Sequence, residues 1–389
     1  MTLFKMALKQ IWRAGIRTWL NVLVLALTII VIVFTQGFNQ GIIEQVSTSM
    51  IRSEIGGGQY WHPEYDAFNP LSLDSSNQKI TPEIKNLIQQ NELTPVLIRQ
   101  ASLYPEGRLV AAVAKGIPPD QQILDFPTSV LNEANGIIPA LIGKRMAKST
   151  GLQKGDYVTV RWRDGNGTFD ARDVEIVHVM QTDAAGIDMG QIWLPLQTLQ
   201  ELTLLQNHAT MLISAPDFTH QNLANWSWKG HDVLLKDIRD LVRARNIGSS
   251  ILYLLLLFLG LLAVFDTQIL SLFRRRKEIG TLVALGMTRE KVVRLFTVEG
   301  GMHAILAVGL ALILGAPLLY WMAQTGVPIP EISQESGLSI GNVLYPRYTP
   351  ELIVGTIVLM LLAVTFVSWL PVRRVARLNP TDALRGRIR

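Results

Sequence analysis

Four stretches of this chain are apolar over the length of a membrane crossing: 18–38, 249–273, 300–321 and 350–371. Each is on the order of twenty residues, enough for an α-helix to pass ~30 Å of hydrocarbon. The first run does not stop at the bilayer. Residues 41–55 (GIIEQVSTSMIRSEI) carry no proline and keep spaced apolar positions. As one helix, 18–55 would measure about 57 Å, so it is expected to leave the membrane as a stalk. Gly56-Gly57-Gly58 breaks it. The polar but helical stretch 237–247 is expected to form a second stalk leading into the second run.

Between the stalks the pattern changes to that of a water-facing α+β domain over 56–236. Thr81-Pro82-Glu83 opens a short helix, with Thr81 as cap and Pro82 at its first position. Residues 96–103 and 108–117 predict a hairpin around Tyr104-Pro105-Glu106-Gly107, and 157–163 and 169–180 a second one around Asp164-Gly165-Asn166-Gly167. Strands are expected at 191–196, 210–214 and 231–236. A helix is expected over 139–150, closed by Gly151.

The short loop 274–299, FRRRKEIGTLVALGMTREKVVRLFTVE when written from Phe273, lies between two of the apolar runs. It carries Arg274, Arg275, Arg276, Lys277, Arg289, Lys291 and Arg294 against Glu278, Glu290 and Glu299. Excess Lys and Arg in a short loop marks the cytoplasmic side. Ile279, Leu282, Val283 and Gly286 fall on one face of a helix. Gly286 can supply the left-handed residue that ends it, Thr288 can cap the next helix, and Glu290 sits in that helix's first turn. On periodicity alone the loop is either a docking element or a surface segment held down by its arginines.

Charge is distributed by region. Segments 1–17, 274–299 and 372–389 hold 17 Lys/Arg and four Asp/Glu, whereas 38–247 holds 18 Lys/Arg and 23 Asp/Glu. The net +5 is therefore a basic excess on one membrane face and gives no reason to expect nucleic acid. Residues 1–17, with Lys5, Lys9, Arg13 and Arg17 spaced by four, predict an amphipathic interfacial helix on the cytoplasmic side and an uncleaved anchor. The absence of cysteine removes disulfides, thiolate metal sites and cysteine nucleophiles.

Few residues suggest chemistry. His62 has no partner at metal-ligand spacing. Asp183, Asp188 and His178 could be read as catalytic, but nothing near them in sequence supplies a nucleophile, phosphate loop or ligand pair. Asp266 lies inside the second apolar run, where a charge is costly and usually faces a protein interior or water. Ala307, Ala311 and Gly315 recur every four residues, a small-residue stripe that admits a neighbouring helix. Tyr320-Trp321 and Trp369 fit interfacial belts. The loop 322–349 carries Pro328, Pro330 and Pro346, and Asn379-Pro380 with Asp382 open an expected last helix in the tail 372–389.

The run RRRKEIGTLVALGMTREKVVRLF resembles the cytoplasmic loop of FtsX-like permeases, the membrane subunits of MacB-type (type VII) ABC transporters. Arg275, Glu278, Ile279, Gly280, Leu282, Ala284, Leu285, Gly286 and Thr288 carry the likeness, which continues to Glu299-Gly300. IIPALIGKRMAKSTGLQKGDYVTV and VHVMQTDAAGIDMGQIWLPL resemble the periplasmic core of that family, and LPVRRVARLNPTDALR its closing segment. GGGQYWHPEY is similar, at Gly57, Gln59, His62, Pro63 and Tyr65, to the opening strand of lipoprotein-releasing (LolC/LolE-like) permeases.

The resemblance implies an α-helical membrane protein with four transmembrane helices and an α+β periplasmic domain inserted between the first two. It implies the inner membrane, with both termini in the cytoplasm. Glu278, Ile279, Gly280, Leu282, Ala284, Leu285 and Gly286 would be the ATPase-coupling residues, and Asp266, where the family usually has Asn before Thr267, would serve helix packing rather than a proton relay. No G-x-x-x-x-G-K-[ST] occurs in the 389 residues, so ATP and magnesium are expected on a partner ATPase, in two copies, and no cofactor or metal on this chain. A second permease, identical or paralogous, and a carrier or adaptor are the other expected protein partners. Three functions fit: extraction of lipoproteins from the outer leaflet, MacB-like expulsion of peptides or other amphiphiles, and non-transporting regulation of a cell-wall hydrolase. For the first, Phe34, Phe38, Ile42 and Ile43 on the first span and Ile251, Leu254, Leu255 and Phe258 on the second are the expected substrate contacts, in a setting of membrane lipid.

Overall fold

The structure, a computed structural model, describes residues 16–132, 136–180, 190–328 and 343–375. The expected interfacial helix before residue 16, the acids Asp183 and Asp188, and the expected tail helix lie outside them. The chain divides into two compact units, one holding most of the long helices and the other residues Ile43–Leu241.

Among the described residues, four helices are long and apolar enough to cross a membrane. Helix α1, Ile16–Met50, runs without a break from apolar run to stalk and ends in a single π-turn, Ile51–Ile55. The later helices of this unit pack on it through Val22, Leu25, Ala26, Ile29 and Val33, which meet Val264, Ala304, Ala307, Ala311, Met360 and Val364. The stripe expected at Ala307, Ala311 and Gly315 is buried. A Cβ on Gly315 would stand 2.7 Å from the Ile30 side chain, so this glycine sets how closely the helices approach.

In the other unit the strands are β1 Gly58–Trp61, β2 Gln78–Lys79, β3 Leu93–Leu103, β4 Val110–Ile117, β5 Ile138–Gly143, β6 Tyr157–Arg163, β7 Phe169–Met180, β8 Gln191–Pro195, β9 His208–Ala209, β10 Met211–Ser214 and β11 Ser227–Lys229. Helix α2, Pro82–Gln89, has Thr81 accepting from the Ile84 N–H at its start, as its sequence predicts. Both expected hairpins are present, β3–β4 and β6–β7, each antiparallel.

The sheet closes on itself. Its order runs β3-β4-β8-β5-β7-β6, and β6 pairs back onto β3 through Ala101↔Trp162 and Leu103↔Val160. The other end of β3 uses the same edge differently: residues 93–96 pair with β10 and lead into the antiparallel strands β1 and β11. Alternate residues of the ring point inward: Ala101, Ala112, Ala114 and Ala140 are small enough to admit Trp162, whose indole N–H donates to Leu202 O at 3.0 Å. On the open sheet, α2 covers Tyr60, Leu93 and Leu212 with Ile84.

Two expectations fail here. The segment 139–150 is not one helix: Ile138–Gly143 is β5, flanked in the ring by β7 and β8, and only Lys144–Thr150 is helical (α3). Gly151 does close that helix, at φ 80°. Residues 231–236 are not a strand. After α4, Leu196–Leu202, the next helical turn is α5, His231–Leu234, which leads into α6, Lys236–Arg274, and the strand lies earlier, at β11.

Candidate functional site

The loop between the second and third long helices folds as α7, Arg276–Ala284, followed by α8, Arg289–Thr325. Gly286 adopts φ 91° between them, a value that L side chains rarely take, and so permits the sharp reversal. The Thr288 side chain accepts from Lys291 N–H at 3.4 Å and caps α8.

The inward side of α7 is fixed. Ile279 is buried with Leu272, Val292, Phe296 and Val372, and Val283 and Met287 pack against them. Arg275, at the start of α7, ties α7 to α8. Its guanidinium donates to both carboxylate oxygens of Glu299, at 2.9 and 3.0 Å, and to Glu278 at 3.0 Å, and lies over the Phe296 ring. One nitrogen, Nη1, serves both Glu299 oxygens, a charge-assisted pair through a single donor atom, while Nε holds Glu278 beside it. Immediately after Glu299, Gly300 lies against Ser368 of the fourth long helix, α9 (Pro350–Val375), so tightly that a Cβ would collide with the Ser368 side chain. The Glu299-Gly300 pair of the sequence is therefore an ion-pair anchor followed by a close helix contact.

The outward side of α7 is open. Of the seven expected coupling residues, Ile279 and Gly280 are buried within the chain and Leu282 is half-buried. Glu278, Ala284 and Gly286 are exposed, and Leu285 is 80% exposed. A leucine that exposed, on a loop whose other apolar side chains pack inward, offers a partner an apolar contact.

The expected substrate contacts divide. Ile251, Leu254, Leu255 and Phe258 are exposed along α6, with Leu259 and Leu262 extending the same face. Phe34, Phe38 and Ile43 are half-buried. Ile42 is 2% exposed, which takes it off the surface where it was expected. Asp266 does not carry the expected helix contact: its side chain is exposed, and its neighbour Thr267 makes the contact instead, through the amide of Asn21. Nearer the stalks, Asn39 donates to Asn246 at 2.7 Å. Neither asparagine bridge was foreseen; a polar residue recurring in each of two paired apolar helices was the available signal.

In the other unit, His62 follows β1, and its Nδ1 accepts from Glu64 N–H at 3.2 Å. Burial pulls its pKa down, with Glu64 opposing. It lines a cavity of about 150 Å³ with Trp61, Tyr65, Phe68 and Lys229. Among the described residues no group of His, Asp and Glu could hold a metal ion. His178 sits within β7, opposite Leu141, as a strand residue.

Residues 250–380 match the FtsX-like permease C-terminal family. An uncharacterized ABC transporter permease of Methanocaldococcus jannaschii is 28% identical over 131 residues, 33% of this chain and 30% of the relative. The macrolide export ATP-binding/permease protein MacB of Escherichia coli strain K12 is 24% identical over 221 residues, 56% of this chain and 31% of the relative. The match thus spans less than a third of the length of either relative. Among solved structures, the extracellular domain of the noncanonic ABC-type transporter YknZ from Gram-positive bacteria aligns over 40% of this chain and 80% of its own, at 12% identity and a TM-score of 0.25, too low to bear weight. The α7 loop with its Arg275–Glu299 anchor lies wholly inside the segment that matches the FtsX-like permease C-terminal family, and the chain is similar to ABC transporter permeases, MacB among them.

Proposed function

We propose that this chain is the membrane subunit of an ABC transporter, driven by a separate ATPase that docks on α7. The observation that carries this reading is the two-sidedness of α7. Its inner face is locked by Ile279 and Arg275, while Ala284 and, in the turn that follows, the 80% exposed Leu285 and Gly286 are open. A partner pushing on such a helix moves the spans it is locked to rather than deforming a loop. The basic side of the membrane, with residues 274–299 and both termini, is the cytoplasm, and residues 56–236 lie outside an inner membrane. Two permeases, identical or paralogous, work with two ATPases, which hold the ATP and magnesium.

The test is Leu285→Glu. It places a charge on the outward face and leaves the Ile279 cluster untouched. ATPase copurification or substrate-stimulated hydrolysis should fall about tenfold or more, the counterpart of roughly 1.4 kcal/mol, with membrane insertion unchanged. Full coupling in that variant would remove the dock from α7.

The substrate class we propose is acylated: lipoproteins of the outer leaflet, received on the apolar face of α6 formed by Ile251, Leu254, Leu255 and Phe258, beside Phe34, Phe38 and Ile43 of α1. Each buried CH₂ is worth about 0.8 kcal/mol, so lifting acyl chains out of a leaflet calls for a comparably apolar surface. A second reading, efflux of unacylated amphiphiles, is favoured by the 221-residue likeness to MacB, whose name describes macrolide export.

A further inference from the structure

Three glycines in a row ordinarily make a flexible linker. Gly56, Gly57 and Gly58, where the first stalk meets the outer domain, are packed instead. Gly56 has φ 64°, and a Cβ there would stand 2.6 Å from Ser214 O. A Cβ on Gly57 would run into the Ala215 carbonyl, and one on Gly58, at φ 145°, into the Trp228 indole. The Gly57 N–H donates to Ser214 O at 2.7 Å, so the first backbone hydrogen bond of the sheet is made before β1 begins.

The residues on either side are held as firmly. Helix α1 yields to the π-turn Ile51–Ile55, a conformation found often at functional sites. Glu54 of that turn accepts from Lys115 Nζ of β4 at 3.2 Å, with 9% of the lysine side chain exposed. The same ammonium lies 5.0 Å from the centre of the Trp193 ring of β8. The Arg52 carbonyl accepts from Asp125 N–H at 2.8 Å, and the Glu54 carbonyl from the Gln59 amide at 2.8 Å. His231, in the turn that leads into α6, has Nε2 2.9 Å from Gly56 O. The end of the first stalk is thus bonded to the ring of strands and to the start of the second stalk within one short stretch.

We propose that residues 51–58 form a rigid joint, in which Glu54, Lys115 and His231 are positioning residues that make the first stalk, the start of the second and the barrel turn as one body. The joint rests on the permease reading only for what drives it. A stiff helix ending in a stiff joint delivers rotation to the barrel, whereas a glycine hinge would absorb it.

The chain has no cysteine, so Thr48→Cys and Asn166→Cys, both at exposed positions, can be spin-labelled directly in the full-length protein in nanodiscs. A rigid joint gives one narrow distance distribution. Inserting Gly-Ser-Gly-Ser between Gly57 and Gly58 should at least double its width, on the order expected for a flexible four-residue linker, and Lys115→Met with His231→Gln should broaden it partway. In the unsubstituted joint the Gly57 amide should exchange as slowly as the amides of β3, a measurement that needs no altered fold. A distribution already as broad as that of the insertion variant, or a Gly57 amide exchanging at loop rates, would overturn the joint. Loss of the permease reading would show differently, as no ATPase bound or stimulated, with these widths unchanged.

Discussion

A guanidinium with 2% of its side chain exposed has to find its partners inside the protein, and Arg99 finds five. It donates to the carbonyls of Leu73, Arg163, Asp74 and Asp164, at 2.8, 3.1, 3.3 and 3.3 Å, and stands 3.5 Å from the Asp74 carboxylate. Burial draws its pKa down and the Asp74 charge opposes that. It therefore pins the 66–77 loop and the β6–β7 turn to β3. Replacing it with methionine leaves four carbonyls without that donor and Asp74 with only Arg163, at 2.9 Å. The loss should be about 3–5 kcal/mol. Arg99→Lys should recover little, since one ammonium cannot span four acceptors. Trp162 and Trp193 are both fully buried in the same domain, so intrinsic fluorescence during denaturant unfolding of the full chain reads the effect. An unchanged midpoint in Arg99→Met would show that the loop is held by something else.

At the scale of elements, α7 owes its fixed orientation to one ion pair and one apolar cluster, and these can be tested apart. Arg275→Ala should speed amide exchange across Arg276–Ala284 roughly tenfold, the counterpart of about 1.4 kcal/mol of local stability. The reversed pair Arg275→Glu with Glu299→Arg should restore part of the protection. Equal exchange in all three proteins would leave the Ile279 cluster as the sole anchor. The break after α7 was legible from Gly286 and Thr288 because caps and left-handed residues are local signals. The strand at Ile138–Gly143 was not. A short apolar run has no period to distinguish helix from strand, and this one is buried on nearly all sides between β7 and β8. The segment 231–236 is ambiguous for the same reason: six residues are too few to show a period, and its helical state comes from leading into α6. Ring closure through Ala101↔Trp162 joins residues 61 positions apart in the chain, and no local pattern encodes it. The α7 loop was legible as a motif, but not which of its residues are exposed: Ile279 and Leu285 look alike in sequence, and only packing sends one in and the other out.

For the whole molecule, the proposed orientation across the membrane rests on charge. Reporter fusions at Asn166 and Met287 should give opposite signals, outside and inside respectively, and two signals of the same sign would defeat the arrangement of spans. The substrate face is the harder question, because an exposed apolar helix in a membrane is equally well explained by lipid. What separates α6 is contrast within the chain. Only 11% of the apolar stretch of α6 is buried, against 44% for α1, 33% for α8 and 22% for α9. An uncovered apolar face of that length is open to an acylated partner as well as to lipid. A photo-crosslinker at Phe38 or Leu255 should therefore capture a lipoprotein in native membranes, and the adduct should diminish when ATP is hydrolysed. One at Ile42, which is buried, should capture none and serves as the internal control. Adducts with unacylated peptides would transfer the site to the efflux reading. Adducts with lipid or a second permease alone, while export continues, would place the substrate path elsewhere.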